Sequence, residues 1–328
     1  MAVMRLISNS RSGIKDMNAA ELKAAIKGSE GRVVMAQINA NEKVLGDVTN
    51  PELAQAMGAD MIMVNGYNMD PEENFTGWTI QEYLGKERGW ANKKVRLKEI
   101  KELLNIPIGI YLETSNPEAF KKQEVTTYLW EKGVQKGRKA LKENFVKLKE
   151  EGADFVVLAG NPGSGVTYEN VIQAVKDCKE VVGDDILIFA GKWEDGNVEP
   201  ILGDPQLGIE RSKEIIKELI DAGADCITLA MPGARTGIQT EEIRELVTYI
   251  HTYKPGTLAL SFLDGSVEGS DTDTVRICTI ESKKTGADIH AIGDAGLTGM
   301  SVPEDIYQMA LTTKGRRLTW KRMAGGHR

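Results

Sequence analysis

Ten polar side chains stand where apolar runs end, and they are the residues whose types and spacing suit chemistry. In chain order they are Gln37 with Asn39, Asn65, Glu113, Asn161, Lys192, Arg235, Asp264 and Asp294, with Tyr67 beside Asn65. Lys192 follows Leu187-Ile188-Phe189-Ala190-Gly191 directly. A lysine delivered at the end of such a run can be desolvated, its pKa lowered toward neutrality, and used as a Schiff-base nucleophile or general base. Glu113, Asp264 and Asp294 are the matching acid/base candidates. The same three carboxylates are the candidate ligands for Mg²⁺, a cation that takes oxygen donors and keeps several waters. Arg235 has the geometry to clamp a phosphate or carboxylate with two parallel hydrogen bonds.

Two glycine-rich loops compete to hold an anion. Gly293, Gly296, Thr298 and Gly299 lie in the first, with Ser301 and Glu304 expected to cap a helix behind it. Asn161, Gly163, Ser164 and Gly165 lie in the second, ahead of a Thr167 cap. Glycines let backbone N–H groups approach an anion, and a helix N-terminus adds its dipole. With Asn65 and Gln37, these loops form the expected substrate- and phosphate-binding set. His290 lies inside an apolar run and reads as a core histidine. With three histidines and no His-Glu-x-x-His, zinc hydrolysis is not expected.

These residues need a scaffold, and a repeat defines it. Gly-Ala-Asp followed by an apolar run starts at Gly58, Gly152, Gly223 and Gly286. Each copy follows a helix-like segment, so its glycine reads as a left-handed helix terminus and the run as a buried strand. Capping boxes at Asn18/Glu21 and Thr49/Glu52 mark helix starts. Strands are expected over 32–39, 61–64, 106–112, 155–158 and 186–190, then before Met231, over 258–262, and up to Gly293. Eight strand–helix units in alternation predict a parallel sheet, and the count of eight favours a closed (β/α)₈ TIM barrel. Neither glycine-rich loop spells G-x-G-x-x-G, which counts against an open dinucleotide-binding sheet. The expectation is a single TIM-barrel domain over 1–328: a helical cap over 15–30, the barrel over about 31–315, and a basic tail over 316–328. In such a barrel the polar ring is the catalytic face. The long segment 69–93, with Trp78 and Trp90, is expected to form an ordered lid over it.

Composition narrows the partners. A net charge of −7 argues against a nucleic-acid surface, and no apolar run reaches the ~20 residues a bilayer requires. The N-terminal residues lack a signal peptide's apolar core. Three scattered cysteines without a CxxC pair suit a reducing compartment. A cytoplasmic homo-oligomer acting on a small molecule is expected.

The strand ends Gly160-Asn161-Pro162-Gly163-Ser164-Gly165-Val166-Thr167, Ala190-Gly191-Lys192 and Gly293-Asp294-Ala295-Gly296-Leu297-Thr298-Gly299 resemble those of a bacterial barrel family. Its members are often labelled haloacid-dehalogenase-like by name transfer. The resemblance runs from Gly31 to about Met323. It implies a TIM barrel for a small, phosphorylated metabolite and supplies no catalytic residues to carry over. The label itself conflicts with the residues. In Ser261-Phe262-Leu263-Asp264-Gly265, Phe262 holds the place of the nucleophilic aspartate. The expected function is a lyase or aldolase using Lys192. The alternatives are Mg²⁺-assisted hydrolysis or isomerisation of a phosphorylated metabolite, and a non-catalytic ligand-binding barrel.

Overall fold

A computed structural model describes residues 3–116, 118, 133–194 and 198–325. Eight parallel strands close into a barrel: β1 (Val33–Asn39), β2 (Met61–Asn65), β5 (Ile108–Glu113), β6 (Phe155–Ala159), β7 (Leu187–Gly191), β8 (Cys226–Ala230), β9 (Leu258–Leu263) and β10 (Ile289–Ile292). Their order around the barrel follows the chain, and β1 closes it between β10 and β2, with Met35 opposite Ala291 on one side and Met61 on the other. Two further strands, β3 (Trp78–Tyr83) and β4 (Trp90–Val95), form an antiparallel hairpin inserted after β2. Nearly every barrel-strand side chain is buried, as expected of strands with barrel interior on one face and helices on the other.

The helices that wrap the barrel start and stop where the sequence signals them. Helix α2 (Ala19–Lys27) opens on the Asn18/Glu21 box and α3 (Asn50–Ala56) on the Thr49/Glu52 box, both fully formed. After the short α1 (Arg11–Lys15) and α4 (Leu97–Ile100) come α5 (Lys142–Glu150), α6 (Tyr168–Val182), α7 (Ile209–Ala222) and α8 (Thr240–Tyr253). The last two are α9 (Thr272–Thr285) and α10 (Pro303–Met323). Thr167 caps α6, but α10 departs from expectation. Its N-cap is Val302 with no side-chain cap, because the buried Ser301 hydroxyl donates instead to the Glu268 carbonyl at 2.7 Å. Among the described residues, no helix is long and apolar enough to cross a membrane.

The Gly-Ala-Asp repeat has one mechanical job, performed four times. Gly58, Gly152, Gly223 and Gly286 all have positive φ, the left-handed turn that ends the preceding element. The aspartate that follows then stitches its strand to the neighbour. Asp60 accepts from Val34 N, Asp154 from Ile108 N, Asp225 from Ile188 N and Asp288 from Ala259 N, at 2.9–3.1 Å. Each backbone N–H of those aspartates returns a bond to the same neighbouring residue's carbonyl. Every one of the four carboxylates also meets a cationic or imidazole partner: Lys314 and Arg322 at Asp60, Lys101 at Asp154, Lys23 at Asp225 and His251 at Asp288.

The Asp60 cluster explains the chain's basic end. Residues 316–323 are not a separate tail but continue α10 past a kink at Gly315. Arg322 is buried, donating to Asp60 at 3.0 Å and to the Leu6 carbonyl at 2.9 Å. A buried carboxylate needs paired charge, and this end of the chain supplies it. Residues 326–328 lie outside the described residues.

Candidate active site

The carboxyl ends of the strands surround a cavity of about 760 Å³. Its floor is aromatic: Phe262 packs edge-on against Trp193 at 4.7 Å, which in turn meets Tyr111 at 5.9 Å. The residue that breaks the dehalogenase signature thus lines the cavity.

Above the floor the wall divides in two. One half is amide-rich. Asn65 and Asn161 exchange side-chain hydrogen bonds at 2.8 and 3.2 Å, and Asn161 also donates its backbone N–H to Glu113 at 3.0 Å. Glu113 lies behind this wall, fully buried and 3.6 Å from Arg138, which lines the cavity. Burial raises the Glu113 pKa, against the pull of Arg138 and the Asn161 bonds.

The other half is carboxylate-rich. Arg235 Nη2 bridges Asp264 at 2.9 Å and Glu194 at 3.1 Å. Glu194 is pushed well above the carboxylate range by burial first and by the adjacent Asp264 second. Asp264 is also raised by burial, with Arg235 opposing. Carboxyl groups that crowd one guanidinium away from bulk water disfavour double ionisation, so one proton between them is the favoured state. Glu268 follows in the same loop, pushed up to about 7 by burial, with Asp264 and Asp294 adding to the effect. Glu42 is raised too, by burial and then by Asp294.

Asp294 is held among amides. Gln37 donates to its Oδ2 at 2.5 Å, Asn39 at 2.9 Å, and Gly296 N to its Oδ1 at 2.8 Å. That last bond bears on the expected phosphate cradle. Of the loop's amides, Gly296 N serves Asp294 and Ala295 N serves Glu268 Oε1 at 3.0 Å, while Leu297 N bonds the Asp294 carbonyl. The loop binds the protein's own carboxylates. Gly293 and Gly296 line the cavity, whereas the Thr298 carbonyl accepts from Asn50 and Gly299 packs against Glu42. From the second glycine-rich loop only Asn161 and Pro162 reach the cavity; Ser164 is buried, and Gly163 and Gly165 are left-handed turn positions outside the lining.

Lys192 is placed differently from expectation. Its side chain is 1% exposed and absent from the cavity lining; Nζ donates to the carbonyls of Glu199 at 2.7 Å and Val166 at 3.2 Å, 5.9 Å from the Tyr168 ring. The strand β7 ends at Gly191. Beyond it Trp193 packs against Tyr111 and Phe262, while Lys192 turns to the backbone just ahead of α6 and to Glu199. Gly191 sets the register, since a Cβ there would lie 2.4 Å from the Thr228 carbonyl on β8. Lys192 therefore does not stand beside Glu113 and Asp294.

The expected Mg²⁺ trio does not converge either. Glu113, Asp264 and Asp294 are engaged by Asn161, Arg235 and Gln37/Asn39 respectively. Among the described residues, no three His, Cys, Asp or Glu side chains are arranged to hold a metal ion. His290 is satisfied deep in the barrel wall by Ser282 at 2.7 Å and the Gly31 carbonyl at 3.0 Å.

Sequence reading missed Glu194, Glu268, Glu42 and Arg138. Glu194 lies two residues past Lys192, so strand alternation would put the two on one side; the strand has ended at Gly191 and only Glu194 reaches the cavity. Glu268 and Arg138 come from loops without strand periodicity, where no pattern marks which side chain turns inward.

The segment 69–93 contains the β3–β4 hairpin and stands beside the mouth, contributing no residue to the cavity lining. Trp78 anchors it, buried and stacked on Tyr67 at 6.0 Å, while Trp90 is 67% exposed.

A closed parallel barrel with a polar cavity at the strands' carboxyl ends is a (β/α)₈ barrel. Within that class, the chain belongs to the family described as Domain of unknown function (DUF7916), whose model matches residues 7–328. No curated protein matches the chain. Among solved structures it is similar to the carboxyl transferase domain of Rhizobium etli pyruvate carboxylase, at 11% identity and TM-score 0.52, over 97% of this chain and 51% of that one. It is also similar to 2,3-dimethylmalate lyase, a PEP mutase/isocitrate lyase superfamily member, at 13% identity and TM-score 0.49, over 86% of this chain and 82% of that one. At such identities the likeness is one of fold. No haloacid-dehalogenase name accompanies the family or these structures.

Proposed function

We propose that the protein is an enzyme of the lyase or isomerase kind that moves a proton on a small molecule bound in the barrel mouth. The observation that carries this reading is the Glu194–Asp264 pair. A buried carboxyl group, Asp264, and a partly buried one, Glu194, share one guanidinium, Arg235, on the rim of a cavity. Their environments push them apart in role. Asp264, with the closer contact to Arg235, keeps the charge and serves as base; Glu194 keeps the proton and serves as acid. In a step at a carbon next to a carbonyl, Asp264 takes the C–H proton while Glu194 donates to the oxygen, where the electron pair collects. The later return of both protons restores the pair. Bond cleavage beside that carbonyl would make the reaction a lyase.

This reading assigns Lys192 to support, because its amine is enclosed by two carbonyls outside the cavity.

The test is deuterium exchange by NMR in D₂O over a panel of small keto, hydroxy and amino acids. Wild type should exchange a C–H next to a carbonyl. Asp264→Asn should slow exchange by a factor of about 10²–10⁴, and Lys192→Met should keep it within several-fold. Borohydride trapping of a substrate on Lys192, with exchange lost in Lys192→Met and folding intact, would sink the carboxyl-pair reading in favour of a Schiff base. Ligand binding with no exchange anywhere in the panel would make this a binding barrel.

A further inference from the structure

The ligand's own charge can be read from the wall of the same mouth. Among the described residues, carboxyl groups lining it outnumber guanidiniums five to two: Glu42, Glu194, Asp264, Glu268 and Asp294 against Arg138 and Arg235. Both arginines already contact acids, Arg138 at Glu113 and Arg235 at the Glu194–Asp264 pair. Two backbone amides of the Gly293–Gly299 loop, those of Ala295 and Gly296, already serve Glu268 and Asp294. A phosphate would have to displace these internal carboxylates and then face the rest.

One atom asks for a donor. Glu268 is 5% exposed and lines the cavity; its Oε1 is bonded to Ala295 N, but its Oε2 has no hydrogen-bond partner. Asp264 Oδ1, 3% exposed, likewise has no donor apart from a proton shared with Glu194. Buried acceptors left unpaired cost about 1–3 kcal/mol each, more when charged. A bound molecule that answers them recovers that cost.

We infer that the carboxylate half of the mouth is a recognition site for an ammonium group, so that the ligand is a small amine and not a phosphorylated metabolite. An ammonium brings three donors and a compact positive charge, whereas a hydroxyl supplies a donor without the charge. A divalent metal would call for several converging side-chain ligands, and the described residues hold no such group of three. The amide-rich half, with Arg138 beside it, is left to receive the ligand's neutral or anionic end. This inference rests on the proposed site but not on its chemistry.

The experiment uses matched pairs with the full chain: glucosamine and glucose, 3-aminopropionate and 3-hydroxypropionate, putrescine and butane-1,4-diol. Inorganic phosphate and Mn²⁺ are titrated alone. Affinities come from ligand-observed NMR at pH 8. Each amine should bind at least tenfold tighter than its hydroxyl partner. Glu268→Gln should bring the two within about twofold. Should that variant fail to fold, the exposed Glu42→Gln should still reduce the preference severalfold. Equal binding within the pairs would overturn the inference. So would phosphate binding tighter than every amine, or Mn²⁺ binding tighter than every amine. Exchange of substrate protons without an amine preference removes this inference and leaves the proton-transfer reading standing; an amine preference without exchange does the reverse.

Discussion

The two ends of this barrel treat the same side chain in opposite ways. At the strand starts, each of four aspartates accepts a backbone N–H from the neighbouring strand and meets a cationic or imidazole partner. At the strand ends, carboxyl groups outnumber cations among the described residues, two crowd one arginine, and a buried oxygen of Glu268 is left unpaired. A paired carboxylate fixes the fold. A deprived one stores free energy that only a proton or a ligand can release, which is why perturbed groups gather at functional sites. The difference lies in the partners, since buried carboxyl groups occur at both ends, as Asp60 and Asp264 show.

The sharpest way to break this contrast is to remove the best-paired acid. Asp60 serves Val34 N and two cations, and both its own side chain and that of Lys314 are fully buried. Asp60→Ala leaves Lys314 and Arg322 without their counter-charge, and stripping one partner from a buried pair costs about 3–5 kcal/mol. Asp225→Ala should cost less, because its partner Lys23 is 25% exposed and can turn to water. Urea denaturation measures both. Equal losses for the two variants would mean that the backbone stitch, and not the ion cluster, carries the stability.

Next in size is a substitution expected to stabilise. The Glu268 pKa is raised from 4.5 to about 7 in the folded chain, so between those values the folded state holds more protons than the unfolded one. Stability from this group is therefore fully lost only as pH rises through about 7. Glu268→Gln removes that loss. Its melting temperature should match wild type near pH 4 and exceed it at pH 8, by an amount corresponding to at most about 3 kcal/mol. His290 runs the other way. Its pKa is lowered to about 4 by burial, so the unfolded chain takes up its proton first and stability falls as pH drops from about 6.5 toward 4. A Glu268→Gln variant no more stable than wild type at pH 8 would show that this carboxylate is not deprived, and the contrast between the ends would fail.

How far each end was legible in the sequence follows from the same physics. The strand-start aspartates recur with a fixed neighbour pattern, Gly-Ala-Asp and then an apolar run, because one backbone geometry is used four times. Repetition made the barrel readable. The mouth has no such regularity. Asp264 and Asp294 were found because they end strands, while Glu268 and Arg138 arrive from loops whose side-chain directions no period dictates. Lys192 was misplaced for a definable reason. Position along the chain gave its height in the barrel but not its side, because β7 ends at Gly191 and no strand period fixes where Lys192 points.

The smallest expected effect is at Trp90, set against a buried aromatic of the same hairpin. Inside the barrel and at the hairpin's root aromatics are buried, as Trp78 is against Tyr67. At the hairpin's far end Trp90 and Tyr83 pair at 5.2 Å with 67% and 53% of their surfaces in water. Trp78→Ala should cost about 3–5 kcal/mol, the usual loss for a buried tryptophan. Trp90→Ala should change stability by no more than about 0.5 kcal/mol, since little of its surface is removed from water. If residues 69–93 act as a lid, the exposed ring finds its cover on a ligand-filled mouth, and the cost then falls on binding. Hairpin and cavity are already joined through Glu42, which lines both the mouth and the groove beside Trp78. The measurement is glucosamine affinity by NMR beside the melting temperature, for wild type and Trp90→Ala. Severalfold weaker binding with unchanged melting supports closure of the hairpin over the mouth. Unchanged affinity means that the hairpin is a fixed ornament at the rim, and that the mouth binds its ligand open to water.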